Sequence, residues 1–172
     1  MWTLRRHAAR VVLLDPSDRV LLIEAGDPAR PARGRWWELP GGGIEGGELS
    51  AAAAARELYE ETGIDGVDMG PCVWRHHAVF DFAGYHFDQH ERVHVARSIA
   101  GGEYRPAALE ALEAVAFTGA RWWSLDELAA MVAGGGRVIP PWLVEQLPVV
   151  LGATAAWPDA EPIDMGELGN LT

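Results

Sequence analysis

Three glutamates, Glu57, Glu60 and Glu61, have the spacing that points most directly to chemistry in this chain. On a helix with about 3.6 residues per turn they lie within an arc of about 100°, so their carboxylates converge. This arrangement costs stability, because like charges at i and i+4 repel by about 0.2–0.5 kcal/mol and acids in a last turn oppose the helix dipole. A hard divalent cation would turn the repulsion into coordination. The pattern therefore predicts a metal site, with a solvated acidic helix face as the alternative.

The element that must position these carboxylates is a helix predicted over residues 51–62. It contains a run of alanines, Ser50 stands where an N-cap is expected, and Gly63 stands where a left-handed residue would end the helix. Ala53 and Ala54 lie one turn before the glutamates and should leave room beside the acidic face. The opposite face should pack against a sheet through a row of small and apolar residues: Ala51, Ala55, Leu58 and Thr62.

Strands are predicted on both sides of this helix, because short β-rich runs are separated by turn-forming residues. The predicted strands are residues 10–14, 19–25, 37–40, 73–82, 91–99 and 120–123. Further helices are predicted from a capping box at residues 124–127 to residue 133, and over residues 141–151. This order predicts an α+β fold in which a mixed sheet is covered by helices. We expect one domain over residues 1–157 and a loosely held acidic tail over residues 158–172.

The string GGGIEGGELSAAAAARELYEETGI, residues 41–64, resembles the Nudix box, whose pattern is G, five residues, E, seven residues, then R-E-apolar-x-E-E-x-G-apolar. The match runs over residues 42–64, and constrained positions at fixed spacing make a chance match improbable. Every fixed position is present: Gly42, Glu48, Arg56, Glu57, Leu58, Glu60, Glu61, Gly63 and Ile64.

The resemblance implies a Nudix fold, a mixed β-sheet sandwiched between helices. It also implies a hydrolase that cleaves a diphosphate linkage in a nucleoside diphosphate joined to another moiety, by attack of a metal-activated water on phosphorus. The implied metal is Mg²⁺, with Mn²⁺ as a possible substitute, and no organic cofactor is implied. Arg56 should brace the carboxylates, Glu48 should hold the loop, and Glu57 is slightly favoured as the general base. The implied metal ligands are Glu57, Glu60, Glu61 and the backbone carbonyl of Gly41.

Residues outside the box have candidate roles that the sequence leaves open. One further acid could complete the metal site: Glu91, Glu110 or Glu113. Four arginines could meet phosphate oxygens: Arg33, Arg35, Arg92 and Arg97. Four tryptophans could stack on a base, although core packing is favoured for most of them: Trp36, Trp37, Trp122 and Trp123. Strand alternation should divide five histidines between two sheet faces, which disfavours a zinc site: His76, His77, His86, His90 and His94.

Composition limits the partners of the chain. With 172 residues and a net charge of −11 it lacks the basic surface that stable nucleic-acid binding requires, so a small-molecule nucleoside diphosphate derivative is the expected ligand. No apolar run approaches the ~18 residues of a membrane span. The first ten residues lack the features of a secretory signal, so we expect a cytoplasmic protein, and a homodimer is possible.

Two other functions compete with the hydrolase. A catalytically silent nucleotide-binding or sensing domain could keep the same fold, although its box is usually degraded and this one is intact. An isomerase of isoprenoid diphosphates would need a cysteine, and Cys72 is the only one in the chain. The substrate, the number of metal ions and the phosphorus that is attacked stay open.

Overall fold

The computed structural model describes residues 2–151, residue 157 and residues 161–169. Within this part of the chain nine strands form one sheet and four α-helices pack against it. The strands are β1 (Thr3–Leu14), β2 (Val20–Gly26), β3 (Arg35–Glu38), β4 (Gly41–Gly43), β5 (Asp68–Phe82), β6 (Tyr85–Arg97), β7 (Phe117–Trp123), β8 (Val138–Ile139) and β9 (Ile163–Gly169). The helices are α1 (Ser50–Thr62), α2 (Ala111–Ala116), α3 (Leu125–Ala133) and α4 (Leu143–Val150).

Strand β1 organises the sheet, whose order is β8-β3-β2-β1-β6-β5-β9. Its whole length pairs in parallel with β6, which occupies one of its two edges. Its other edge is shared: β4 pairs with it antiparallel from Ala8 to Arg10, and β2 meets it at Leu14. Strand β7 pairs with β2, and β9 pairs in parallel with β5. Parallel and antiparallel pairs are thus combined in one mixed sheet.

The side chains of β1 alternate between two hydrophobic cores, as the period of two in a strand requires. Val11 and Leu13 pack in one core with Leu58 of α1. Val12 and Leu14 pack in the other core, which contains the buried leucines of α3 and α4: Leu128, Leu143 and Leu147. The predicted α+β sandwich, with helices on both faces of a mixed sheet, is confirmed. None of the described helices is long and apolar enough to cross a bilayer.

Helix α1 agrees with the predicted bounds and ends at Gly63 with φ 74°, as expected for a left-handed C-cap. The predicted cap at Ser50 is wrong: Leu49 is the N-cap residue, and the Ser50 hydroxyl pairs with His94 Nε2 at 2.9 Å. The packing face is only partly as predicted: Leu58 and Thr62 are fully buried, but so are Ala53 and Ala54, whereas Ala51 and Ala55 are partly exposed. The acidic side of the helix therefore borders the sheet directly and leaves no open space beside the alanines.

Four elements were not predicted from the sequence: helix α2, strand β4 and the two strands that follow β7. Strands β1, β5 and β6 also begin earlier than predicted, at Thr3, Asp68 and Tyr85. Within the predicted loose tail, Ile163–Gly169 forms β9 and pairs with β5. Residues 158–160 and 170–172 lie outside the described residues, and the domain boundary at residue 157 stays a prediction.

The α1 core can be tested with a neighbouring pair of substitutions. Leu58→Ala should lower the free energy of unfolding by about 2–5 kcal/mol, because Leu58 is 0% exposed and its loss leaves a cavity. Tyr59→Ala is the control, since Tyr59 is 46% exposed. Urea unfolding of both variants gives the comparison, and equal losses would contradict this packing.

Candidate active site

A cleft of about 260 Å³ opens where β4 and α1 meet, and its walls differ in chemistry. One wall is acidic and includes Glu57, Glu61, Glu110 and Glu113. Another is apolar and contains Phe80, Phe82, Phe87, Leu112 and Phe117. Three arginines also line the cleft: Arg6, Arg10 and Arg56. The cleft thus combines carboxylates, cations and flat apolar surfaces.

Three carboxylates converge at the acidic wall. Glu57 and Glu61 from α1 and Glu113 from α2 each offer an oxygen, and these oxygens all lie within 4.8 Å of one another. Glu60 is not part of this group and does not line the cleft, and its carboxylate accepts a hydrogen bond from Arg56 Nη1 at 3.1 Å. The structure therefore brings together two of the three predicted box acids and adds Glu113, one of the candidates outside the box. Metal ligation by Glu60 stays a prediction.

Burial and the repulsion between neighbouring carboxylates disfavour the ionised form of these three side chains. Burial raises the pKa of Glu61 well above its usual value and Glu113 adds to the rise, while the Gly41 N–H, 2.8 Å from Oε2, lowers it. Burial also raises the pKa of Glu57, which Arg56 partly opposes, and the pKa of Glu113. Three hard oxygen donors that need a positive charge are the donor set that Mg²⁺ prefers. The residues present therefore fit a divalent cation.

The glycines of β4 allow α1 to approach this closely. A Cβ on Gly41, whose φ is +139°, would lie 2.2 Å from the Ala9 carbonyl oxygen. A Cβ on Gly42 would lie 2.6 Å from Glu57 Oε2. The Gly41 carbonyl, a predicted metal ligand, accepts a hydrogen bond from Arg10 Nη1 at 3.2 Å, and its role toward a metal stays a prediction.

Arg56 braces the box acids, in keeping with the role that the resemblance implies. Its Nη1 donates to Glu57 Oε1 at 2.9 Å and to Glu60 at 3.1 Å. Its Nε and Nη2 donate to the two oxygens of Glu48 at 3.1 and 3.0 Å, and Nη2 also donates to the Gly43 carbonyl at 2.8 Å. Arg56 thereby fixes the loop and two carboxylates of α1 relative to each other.

A second arginine accounts for Glu91, which was a candidate metal ligand. Arg10 Nε donates to Glu91 Oε2 at 3.0 Å, and His76 Nε2 lies 3.0 Å from the same oxygen. Burial raises the pKa of Glu91, but Arg10 and His76 outweigh it and hold the pKa at about 2. Glu91 is therefore a neutralised part of the wall, whereas Glu113 joins the carboxylate cluster. Glu110 lines the cleft at the start of α2.

The predicted phosphate and base contacts lie elsewhere. None of the four candidate arginines and none of the four candidate tryptophans lines the cleft among the described residues. Trp36 and Trp123 are buried, Arg35 donates to Thr118, and Arg97 pairs with Asp18. The cleft instead presents phenylalanines and Arg6. Phe80 and Phe82 were recognisable as a period-two pair on the strand predicted over residues 73–82, but nothing in the sequence distinguished Phe87, Phe117 or Arg6.

The five histidines do not converge on one point. His76 lies against Glu91, His77 hydrogen-bonds Asp88, and His94 contacts Ser50. His86 pairs with Asp81, and His90 stacks on His77 with ring centroids 4.5 Å apart. Cys72, the cysteine that an isomerase would require, donates to the Trp74 carbonyl oxygen at 3.3 Å and does not line the cleft.

Comparison with known proteins places this site in a family context. The model of the NUDIX domain matches residues 4–143. An RNA pyrophosphohydrolase from Dinoroseobacter shibae is 46% identical over 59 residues, which are 34% of this chain and 34% of that protein. An 8-oxo-dGTP diphosphatase from Proteus vulgaris is 39% identical over 59 residues, 34% of this chain and 51% of that protein. The chain thus spans about a third to a half of these curated relatives.

Solved structures extend the likeness to the whole fold. A C. elegans Ap4A hydrolase, solved as a binary complex, has a TM-score of 0.55 with this chain at 18% identity. The superposition covers 84% of this chain and 97% of that one. At this identity the likeness concerns the fold alone.

The charge on Glu61 should make stability depend on pH. The pKa of Glu61 is raised in the folded state. Below the ordinary value of 4.5 the carboxyl is protonated in both the folded and the unfolded chain, so it does not lower the free energy of unfolding. As the pH rises above that value, the unfolded chain releases the proton more readily, and the folded state is increasingly destabilised. With EDTA present, the melting temperature of Glu61→Gln should therefore rise relative to the native chain as pH increases. Glu60→Gln, which removes only the ion pair between Glu60 and Arg56, should show no such gain in melting temperature. Parallel pH profiles for native chain and Glu61→Gln would contradict the assignment.

Proposed function

The chain belongs to the NUDIX domain family, and from this premise we propose that it is a metal-dependent hydrolase that cleaves a diphosphate linkage in a nucleoside diphosphate derivative. One observation carries the proposal. The oxygens of Glu57, Glu61 and Glu113 lie within 4.8 Å of one another in the wall of a cleft. The curated relatives named for diphosphate hydrolysis support the same reaction class.

The proposed metal is Mg²⁺, with Mn²⁺ as a substitute. Glu57, Glu61 and Glu113 would hold it, and Glu60 and the Gly41 carbonyl are proposed as further ligands. Bound Mg²⁺ would neutralise charge on the diphosphate and lower the pKa of a water molecule. The support lies in the donors, which are hard oxygens whose pKa values are raised mainly by burial and further by neighbouring carboxylates.

The protein's own part in the reaction is to orient the carboxylates and accept a proton. Arg56 engages Oε1 of Glu57, while Oε2 accepts no hydrogen bond from any described residue. Oε2 of Glu57 is therefore the proposed acceptor for the proton of the attacking water. Glu61 is held in place by the Gly41 N–H at 2.8 Å. Phenylalanines on the opposite wall would shield the reacting phosphate from bulk water.

The hydrolase can be tested with a panel of diphosphates. Purified protein should release phosphate or a nucleotide from at least one compound when Mg²⁺ or Mn²⁺ is present and from none with EDTA. The panel should contain nucleotide sugars, ADP-ribose, dinucleoside polyphosphates, oxidised nucleoside triphosphates and coenzyme esters. Reaction in ¹⁸O water then locates the phosphorus that is attacked. Tight binding of one compound without turnover of any would favour the silent binding domain instead.

Substitutions in the carboxylate cluster should show whether turnover depends on these particular glutamates or only on the net charge of the protein. Glu57→Gln and Glu61→Gln should each lower kcat by about 100-fold or more, because each removes a negative oxygen donor from the reacting site. Glu103→Gln is the control, since Glu103 has 79% of its side chain exposed and pairs with Arg105. Steady-state kinetics on the best panel compound gives the comparison. Full activity in both cluster variants would rule out this site.

The glycine strand offers a second, steric test. Gly42→Ala places a Cβ 2.6 Å from Glu57 Oε2, so the flexible carboxylate must turn away while the fold is retained. We expect weaker Mn²⁺ binding, measured by electron paramagnetic resonance, and lower turnover. Gly46→Ala is the matched control, because a Cβ there meets nothing within 4 Å. Unchanged Mn²⁺ affinity in Gly42→Ala would show that Glu57 is not a ligand.

A further inference from the structure

The carboxylate cluster can serve only the phosphates that share its metal, so any other phosphate of the substrate needs a cation from the protein. Three arginines line the cleft and are candidates for this role: Arg6, Arg10 and Arg56. A guanidinium has five N–H donors, and phosphate is recognised best when two of its nitrogens are available together. The three can therefore be separated by how many of their donors the protein already uses.

Arg56 is fully engaged in the fold, and Arg10 is engaged through two of its three nitrogens. Arg10 donates from Nε to Glu91 and from Nη1 to the carbonyls of Leu39 and Gly41, at 2.9 and 3.2 Å. Arg56 uses Nε and both terminal nitrogens on its three glutamate partners and on a backbone carbonyl. Turning either toward a substrate would leave buried acceptors without partners, which is costly.

Arg6 is different, because its guanidinium is held at one end only. Its Nε donates to Gln89 Oε1 at 2.8 Å, and Gln89 is 0% exposed. The amide of Gln89 is itself fixed, since its Nε2 donates to Glu91. The Arg6 guanidinium also lies over the ring of Phe87, 4.9 Å from the centroid. Its two terminal nitrogens donate to no described residue, so they are oriented by the fold and available.

The location of Arg6 indicates which part of a substrate it would meet. Phe87 places it beside the apolar wall, where Phe80 stacks on Phe87 with centroids 5.1 Å apart. A Cβ on Gly43 would lie 3.6 Å from Arg6 Nη1, and the preceding residue, Gly42, borders the carboxylate of Glu57. Arg6 therefore stands between the flat apolar wall, which suits a base, and the carboxylate cluster.

We propose that Arg6 is a substrate-binding residue whose two terminal nitrogens hold the phosphate that lies between the metal site and the nucleoside. The inference rests on the proposed function, because it takes the carboxylate cluster as the place where the diphosphate is cut. If Arg6 has this role, a residue of β1, outside the sequence motif, selects for a phosphorylated nucleoside. Gln89 then orients the Arg6 side chain.

The test uses α,β-methylene-ADP, a diphosphate that resists hydrolysis, with Mg²⁺, and adenosine as the probe without phosphate. Arg6→Ala should weaken binding of the analogue by about 10- to 100-fold, as expected for loss of a charge-assisted pair of hydrogen bonds. Arg6→Lys should recover part of the affinity, because it keeps the charge and loses the fork. Arg5→Ala is the matched control: Arg5 is the neighbouring residue in β1, its side chain is 81% exposed, and it pairs with Asp88. Titrations followed by ligand-observed NMR give the affinities.

The outcomes separate this inference from the hydrolase proposal. Loss of analogue binding in Arg6→Ala, with adenosine binding unchanged or absent throughout, supports it. Equal loss of both probes would make Arg6 a structural residue and overturn it, as would unchanged analogue binding or no binding by the native chain. If a panel substrate is hydrolysed with the same KM by Arg6→Ala, the inference fails and the hydrolase stands. If nothing is hydrolysed but analogue binding depends on Arg6, the phosphate contact of Arg6 stands and the hydrolase fails.

Discussion

The close approach of helix α1 to strand β4 is the constraint on which the site depends. A side chain on Gly41 would collide with the backbone of β1, and one on Gly42 would occupy the space of the Glu57 carboxylate. Without side chains, β4 can pair with β1 and still leave its backbone open to the helix. The Gly41 N–H then reaches Glu61, and the Gly43 carbonyl reaches Arg56. One short strand thus fixes the helix, its brace and its acids together.

The close approach brings several buried carboxylates together, and the arginines of the site compensate their charges to different degrees. Arg10 and Arg56 neutralise the surrounding acids, so Glu91 and Glu48 are satisfied within the fold and their pKa values are lowered. Glu61 receives much less help, because burial and the nearby Glu113 raise its pKa well above the usual value. The negative charge that the protein leaves uncompensated is therefore concentrated where three carboxylates meet. A cation bound there would stabilise the fold as well as serve the proposed reaction.

Local signals in the sequence predicted what is local in the structure. Helix α1 follows from its alanine run and from Gly63, and the predicted parts of β1, β2, β3, β5, β6 and β7 follow from alternation, because these determinants lie within each segment. The packing of Ala53 and Ala54 was mispredicted, since a helical wheel alone does not show that the acidic face lies against a sheet edge. Helix α2 has only six residues. Its capping box is formed by two glutamates, Glu110 and Glu113, so no serine or threonine marks where it begins. The role of Arg6 depends on its cross-strand pairing with Gln89, which no single segment encodes.

The motif and the walls of the cleft are thus separable parts of one site. The carboxylates and their brace come mainly from one continuous stretch of chain, whereas Arg6, the phenylalanines and Glu113 come from β1, the β5–β6 hairpin, β7 and α2. The hairpin is in turn held by the loop after β2, because Asp27 Oδ1 accepts hydrogen bonds from the backbone N–H groups of Ala29 and Ala83. A change in that loop would move the apolar wall without altering the carboxylate cluster of Glu57, Glu61 and Glu113. Substrate preference can therefore diverge while the carboxylates and their brace stay the same, so the motif predicts a reaction class and the walls of the cleft select the substrate.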